Sequence, residues 1–600
     1  MIYRPDIQIL RGLSVLFVVA FHLEMPFFKN GFLGVDVFFV ISGFLMGVLY
    51  DPQQKKTFYA RRAKRLLPAY FTVIFASLLI GAFLLTPFEL NQLQEQVFFA
   101  LPFSSNIGFW THNSYFSKSE FNPLLHLWSL GVEIQFYLLL PLLAFFMRKV
   151  KGSIWLLLLG SLGLCLLVLT ISPKTSFFMM PLRLWEFLIG YIGATRFTQN
   201  GTARPYPALG LLGFLILCAL PLLPIDGTST VLLYGHPSLQ AALICGATLL
   251  ILTFGLPDPL TQNLLGKGLE ALGKVSYSLY LVHFPIIVFY LYRPFGGTIL
   301  TPTSHLDTLL ILGLITLSTA ALYYGVEHRR RNHAFGVKHY GYIALCGIVL
   351  SIGAQKLKLS TYPADQQKTF AAFQDRSPYR CGKINRLINW DAQSCTLTPA
   401  LDAPSHRFLF VGNSHADSLK TTFSEEAAAQ NISLAFLVQN NPLMGEATSL
   451  SPAQVIAEAQ KTNNSHIILH YAPNTLPLNQ LKMLTQLAEQ ANIRLSYIHP
   501  VPVWPVHIPQ RLYAHAIQGS ELPSQSHDSY MTTHQSWQND VASLGIHEYF
   551  PTDILCTPKC RLTDSEGAPL YFDSNHLTLT GSALLRPLFQ NLIRESLSKN

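Results

Sequence analysis

The chain has 600 residues, half of them hydrophobic and only 12% charged, with a positive mean hydropathy; this excludes an ordinary soluble enzyme and points to a polytopic membrane protein. The net charge of +9 would suit a nucleic-acid binder, but the basic residues cluster between apolar spans, as Lys55, Lys56, Arg61, Arg62, Lys64 and Arg65, then Arg148, Lys149 and Lys151, then Arg329, Arg330, Arg331 and Lys338. That is the pattern of cytoplasmic loops, so no nucleic-acid partner is expected.

The first apolar span, DIQILRGLSVLFVVAFH from Asp6 to His22, carries Arg11 and His22, eleven residues apart. Eleven helical steps of about 100° end within about 20° of the starting face, so the two share one stripe, about 16 Å apart along the axis. Ionisable groups at membrane depth are costly and mark a pathway or a catalytic site. The plainer alternative is a signal anchor with a snorkelling Arg and a packed His. Arg11 interrupts the apolar run and LEMPFFKNG lacks a small-x-small cleavage site, so a retained helix is predicted rather than a removable signal peptide.

Spans are predicted near 7–24, 33–50, 67–86, 126–147, 153–171, 179–195, 207–224, 236–256, 275–293, 307–326 and 341–356, each about long enough for a hydrocarbon core of about 30 Å. With the N-terminus inside, eleven spans leave the rest of the chain outside, and the basic clusters all fall on the inner side. The alternate loops hold only Lys29, Lys118, Lys174 and Arg293. Pro221, Pro257 and Pro285 are candidate breaks or kinks. Within the spans, His126 and Glu133 share a helix face with Tyr137 and would form an ion pair or an acid/base couple. Arg183 and Glu186, three apart, suit a structural ion pair as well as a functional one. Tyr280 and His283 share a face just before Pro285, where a packed, hydrogen-bonded His is the plain alternative.

From about Leu359 the composition becomes that of a soluble domain. RFLFVG, ISLAFLV, HIILHY and IRLSYIHPV read as buried strands, with helical patterns between them such as 452–462 and 476–492. Alternation of strands and helices predicts a parallel sheet in a three-layer α/β domain over 401–600, behind a membrane domain over 1–357 and a linker or cap over 358–400. Four cysteines, Cys165, Cys218, Cys245 and Cys346, lie in spans as small apolar residues. Cys381 with Cys395, and Cys556 with Cys560, form two close pairs. A metal site would need partner ligands that do not cluster there, so two local disulfides are expected and no metal.

The first tail strand is followed by Gly412-Asn413-Ser414-His415, and Asp573-Ser574-Asn575-His576 stands near the end. A Ser at a strand-to-helix turn sits at the carboxyl edge of a sheet, beside backbone N–H groups able to stabilise an oxyanion. Asp573 and His576 would supply the orienting carboxylate and the base for Ser414. Each motif is common by itself, but at the two ends of one α/β domain they resemble the SGNH hydrolase superfamily. That family usually carries Asp where this chain has Asn413. Gly445 and Asn474 are oxyanion candidates by order only, against a loop Gly and a strand-end cap.

The likeness extends forward. Arg11 and His22 in an Arg-x10-His arrangement, GFLGVDVFFVISGF (31–44), FYARRAKRLLPAY (58–70), HLWSLGVEIQFY (126–137), RLWEFLIG (183–190) and SYSLYLVHFP (276–285) resemble the acyltransferase-3 family of membrane O-acyltransferases, in the subgroup fused to an SGNH domain. The resemblance implies a bacterial inner-membrane enzyme with its C-terminal domain in the periplasm. It implies transfer of an acyl group, most simply acetyl, from cytoplasmic acyl-CoA to an exported glycan or lipid-linked oligosaccharide such as lipopolysaccharide O-antigen. Acetyl-CoA is then a co-substrate, with no bound cofactor and with membrane lipids as surroundings. His22 would be the membrane-stage base or transient acceptor, and Arg11, Arg61, Arg62, Arg65, His126, Glu133 and His283 would bind the donor or support that stage. Arg61, Arg62 and Arg65 offer forked donors to phosphate; ordinary positive-inside charge is the alternative. A membrane-anchored glycan esterase would need only the Ser-His-Asp set, and an exporter with a binding domain would need only the buried charges.

Overall fold

The computed structural model describes residues 3–112, 120–197, 206–219, 222, 225–227, 229–328, 337–378, 394–399, 401, 403–437 and 450–598. The chain forms two compact units, Met1–Lys358 and Leu359–Asn600.

Among the described residues of the first unit seven helices are long and apolar enough to cross a membrane: Pro5–His22, Gly31–Leu49, Pro52–Leu84, Leu127–Lys149, Leu264–Tyr290, His305–His328 and Gly341–Ser360. The other four predicted spans are helical but shorter. They are Ser153–Leu169, Met180–Ile192, Pro207–Cys218 and Leu239–Phe254. Local breakers set these lengths, since Pro occupies the first turn of Met180–Ile192 and of Pro207–Cys218, and Gly255 ends Leu239–Phe254 at φ +76° just before Pro257.

Other expectations are corrected. Pro285 breaks nothing and lies inside the continuous helix Leu264–Tyr290. The run Lys55–Arg65 is not a loop but the opening turns of the helix Lys55–Leu84, which also absorbs Pro68. The helix Pro87–Ala100, which is not among the predicted spans, carries Glu89, Gln92 and Gln96. All three are buried, and the Gln92 and Gln96 side-chain oxygens accept from the backbone N–H groups of Phe121 at 2.9 Å and Leu124 at 3.1 Å. Pro221 and Arg329 to Arg331 lie outside the described residues, as does the side chain of Lys338.

Two close helix contacts position the membrane-unit chemistry. A Cβ on Gly12 would stand 2.0 Å from the Leu269 carbonyl oxygen, and one on Gly273 would stand 1.9 Å from that of Gln8, so Pro5–His22 and Leu264–Tyr290 pack backbone against backbone. Gly43 and Gly190 do the same for Gly34–Leu49 and Met180–Ile192.

The second unit is built on a six-stranded sheet: β1 Ser394–Thr396, β2 His406–Gly412, β3 Ile432–Leu437, β4 His466–His470, β5 Arg494–Ile498 and β6 His547–Tyr549, in the order β1-β3-β2-β4-β5-β6. Five strands are parallel, but β1 pairs antiparallel with β3, so the sheet is mixed rather than all-parallel. Alternate residues of β2 point to opposite faces. Phe408 and Phe410 pack under the helix Ser414–Ala429 and the C-terminal helix Arg586–Ser598, whereas Leu409 and Val411 pack under Pro452–Lys461 and Leu478–Gln490. Chain order reverses at β2, and the carboxyl ends of strands at such a switch point are where open α/β sheets bind ligands.

The stretch expected as a linker or cap is partly built into this unit. Its helix Ala364–Ala371 sets Phe370 against Tyr513, and Asp375 accepts from the backbone N–H of Thr580 at 3.1 Å. Cys395 lies in β1 and is disulfide-bonded; Cys381 lies outside the described residues. Cys556 and Cys560 form a disulfide.

Candidate active sites

In the soluble unit β2 ends at Gly412, where an added Cβ would meet the His470 carbonyl oxygen at 1.9 Å. Only glycine lets β2 and β4 approach this closely beneath the next residues. Asn413 caps the helix Ser414–Ala429: its side-chain oxygen accepts from the N–H groups of His415 at 3.1 Å and Ala472 at 3.3 Å. Ser414 follows as the first helical residue and is exposed.

The turn at the other end of the domain meets it. His576 Nε2 lies 2.7 Å from Ser414 Oγ, and His576 Nδ1 lies 2.6 Å from Asp573 Oδ2. The other Asp573 oxygen accepts from the backbone N–H groups of Asn575 at 2.8 Å and His576 at 2.7 Å, which closes the turn. Burial pulls the Asp573 carboxyl upward, but its bonds to His576 and to these two amides outweigh that and hold it below its ordinary value. An ionised Asp573 accepts a hydrogen bond from Nδ1–H, leaving the Nε2 lone pair to receive the Ser414 hydroxyl proton. Phe572 stacks on the His576 ring at 5.4 Å and 6°. His415, missed as a site neighbour, lies 4.9 Å from that ring on its centroid, and burial pushes it well below the usual histidine value, so it stays neutral beside the base. Of the two oxyanion candidates, Asn474 is exposed at φ +59° in the turn after β4, next to Thr475, which contacts Asn413. Gly445 lies outside the described residues.

In the membrane unit the structure divides the predicted residues between two places. The first is a cavity lined by Arg11, Arg62, Arg65, Glu133, Tyr137 and Tyr280 among others. Glu133 accepts hydrogen bonds from Ser42 and Tyr137 inside it. Arg62 and Arg65 also line a second, basic cavity with Arg61 and Lys64, so the two arginines stand at the junction of both. The second place is an imidazole cluster. His22 Nδ1 lies 3.0 Å from His283 Nε2, and the His126 ring lies 5.6 Å from that of His283. His126 and Glu133 therefore do not form a couple. His126 Nε2 bonds the Leu281 carbonyl at 3.0 Å, while Tyr280 links the two places by donating to the His126 carbonyl at 2.9 Å from a ring that lines the first cavity.

Arg183 and Glu186 pair at 3.0 Å and are fully buried. Asp36 joins at 3.1 Å and His236 stands 3.4 Å from Asp36, two partners that spacing could not reveal. Phe39, Trp128 and Phe177 surround the guanidinium. This cluster ties Gly34–Leu49 to Met180–Ile192. Among the described residues no group of His, Cys, Asp and Glu is arranged to hold a metal ion.

Residues 4–324 match the family described as an acyltransferase domain, and residues 380–591 match the SGNH domain fused to such domains. The O-acetyltransferase OatA of Staphylococcus aureus (strain NCTC 8325 / PS 47) is 33% identical over 313 residues, which covers 48% of this chain and 51% of that protein. The putative O-acetyltransferase SAS0844 of Staphylococcus aureus (strain MSSA476) is 32% identical over 316 residues with the same coverage. The chain thus spans about half the length of the curated relatives it matches. The solved periplasmic domain of Salmonella ser. Paratyphi A lipopolysaccharide acetyltransferase is similar at 16% identity and a TM-score of 0.30, covering 39% of this chain and 99% of that one, a likeness too slight to argue from. Since the first match takes in more than half of the residues and the second lies behind it, the chain belongs to the acyltransferase-3 family, in the form that carries a fused SGNH domain.

Proposed function

We propose that this protein is an O-acyltransferase that moves an acyl group, most simply acetyl, from cytoplasmic acyl-CoA to a hydroxyl of an exported cell-surface glycan, such as lipopolysaccharide O-antigen, across a bacterial inner membrane. The observation that supports this reading is that one chain holds two side-chain clusters of suitable chemistry, one in each unit. One is a histidine cluster linked through Tyr280 to a cavity that Arg62 and Arg65 line; the other is an exposed serine within reach of His576, which bonds Asp573.

The polyanionic donor fits the basic cavity, where arginines offer forked bonds to phosphate. In the membrane stage the thioester C–S bond breaks as the acyl carbon bonds either to His22 or to a hydroxyl whose proton His22 takes, and CoA leaves as its thiol with the proton released. In the second stage Ser414 Oγ attacks the acyl carbon held by the membrane-stage acceptor as its proton passes to His576 Nε2; that acceptor leaves with the proton, and an acyl-serine ester remains. A glycan hydroxyl then attacks that ester as its proton passes to the freed His576 Nε2, and His576 returns that proton to Ser414 Oγ as the acyl–serine bond breaks. Exposure of Ser414 suits an acceptor too large to be enclosed. The same exposure supports a second reading, a membrane-anchored glycan esterase, which leaves the arginine-lined cavity without a task.

Purified full-length protein given acetyl-CoA tests the donor assignment. Free CoA should appear, and Arg62→Ala with Arg65→Ala should raise KM for acetyl-CoA by about 10-fold or more through loss of phosphate contacts. No CoA release from folded, monodisperse protein supplied with an envelope glycan acceptor would favour the esterase.

A further inference from the structure

Gly12 and Gly273 bring Pro5–His22 and Leu264–Tyr290 into backbone contact, and farther along the same two helices His22 meets His283. Both imidazoles are buried, at 3% and 0% exposure, with Phe284 edge-on to His22 at 4.6 Å. In the neutral form that such burial favours, each ring has one donor and one acceptor nitrogen.

The hydrogen bonds fix which is which. His283 Nδ1 lies 2.7 Å from the Tyr280 carbonyl oxygen and 3.2 Å from that of Leu279. A carbonyl only accepts, so His283 Nδ1 carries the proton and Nε2 keeps the lone pair. The 3.0 Å contact between His283 Nε2 and His22 Nδ1 is then a bond that His22 donates. His22 is held as the Nδ1–H tautomer, with its lone pair on Nε2.

We infer that His283 is the positioning residue that sets the tautomer and ring orientation of His22, so that His22 presents Nε2 to the reacting group. The carbonyls of Leu279 and Tyr280 fix His283, and His283 fixes His22. The order of partners parallels a carboxylate orienting a catalytic imidazole, with a neutral ring in the carboxylate's place. This explains why the helix places a histidine, rather than any apolar residue of similar size, against His22 at the packed contact. The inference rests on the reading that His22 carries the membrane stage.

Variants of the full-length chain separate orientation from packing. Gln at 283 can keep an acceptor where Nε2 stands; Met fills the same length with only a weakly accepting sulfur, and Asn is too short to reach His22. CoA release from acetyl-CoA is measured on folded, monodisperse protein in detergent. His283→Gln should keep kcat within about 10-fold of the parent, whereas His283→Met and His283→Asn should lower kcat by about 100-fold with KM little changed. In a His22→Ala background the His283 substitutions should cost nothing further, because a residue acting through another has no separate effect. Met and Asn remove the acceptor independently, so one folded variant of the two suffices. Equal kcat for the Gln variant and the acceptor-less variants, with His22→Ala inactive, would overturn this inference and leave the role of His22 standing. Full CoA release by His22→Ala would remove both.

Discussion

Asn413 donates its side-chain amide to Thr475 Oγ1 at 3.1 Å, while Thr475 donates to the Ala472 carbonyl at 2.7 Å. The amide oxygen meanwhile accepts from two backbone N–H groups at the turn that presents Ser414. The Asn that departs from the family's usual Asp is thus used at both ends. An Asp would keep the acceptor and gain from the helix N-terminus, but its oxygen could not donate to Thr475.

The expected outcome is an asymmetry between two substitutions. Asn413→Ala should cost about 1–2 kcal/mol, as loss of a helix cap does, and Asn413→Asp should cost less than about 1 kcal/mol because charge at the helix start offsets the lost bond. Thermal unfolding of the expressed segment 359–600 reads both. Equal losses would show that the cap contributes nothing there.

Stability of the same segment should depend on pH through buried imidazoles. Burial pushes His470 down to about 4 and His466 and His499 down to about 3, and it holds His415 well below the ordinary value. Unfolded, each binds a proton near 6.5, so their contribution is complete above that pH and is lost as pH falls toward the folded values. His470 alone contributes about 3 kcal/mol on this basis. Tm should hold between pH 7 and 8 and fall steeply from pH 6.5 to 4, with a shallower fall in His470→Asn, which can keep the donor to the Ile498 carbonyl. Asp573, held low, adds to the loss only below about 4. A flat Tm down to pH 4.5 would contradict this account.

Much of the soluble site is legible in the sequence because it is local. Ser414 follows an apolar strand directly, and Asp573 and His576 lie three apart in one turn. What brings those ends together is the sheet, and its outer strands leave little trace: β1 and β6 have three residues each, and His-Glu-Tyr has no apolar alternation. In the membrane unit hydropathy marks the apolar helices, yet helix length depends on Pro and Gly breaks that a window average blurs. Pairings stay invisible because they join distant positions, 261 residues apart for His22 with His283 and 147 for Arg183 with Asp36. Polar residues on Pro87–Ala100 mislead for a different reason, since their amides turn inward to bond backbone.

The proposed topology has its own test. The basic clusters around Lys55 to Arg65, Lys149 and Arg330 should face the cytoplasm, so a reporter that works only in an oxidising outer compartment should be active when fused at the C-terminus and inactive when fused after Arg331. An inactive C-terminal fusion in a stably produced protein would put donor and Ser414 on the same side and remove the need for a relay.

The central claim is that the acyl group passes through Ser414 on its way from the membrane unit to the glycan. The most direct measurement is the acyl content of the envelope glycan, together with CoA release, in the full-length Ser414→Ala variant. Members of such a relay act as a unit, so glycan acylation should fall by several orders of magnitude while CoA release from acetyl-CoA persists. Glycan acylation by Ser414→Ala at the level of the parent protein would contradict the account and show that the membrane unit delivers the acyl group unaided.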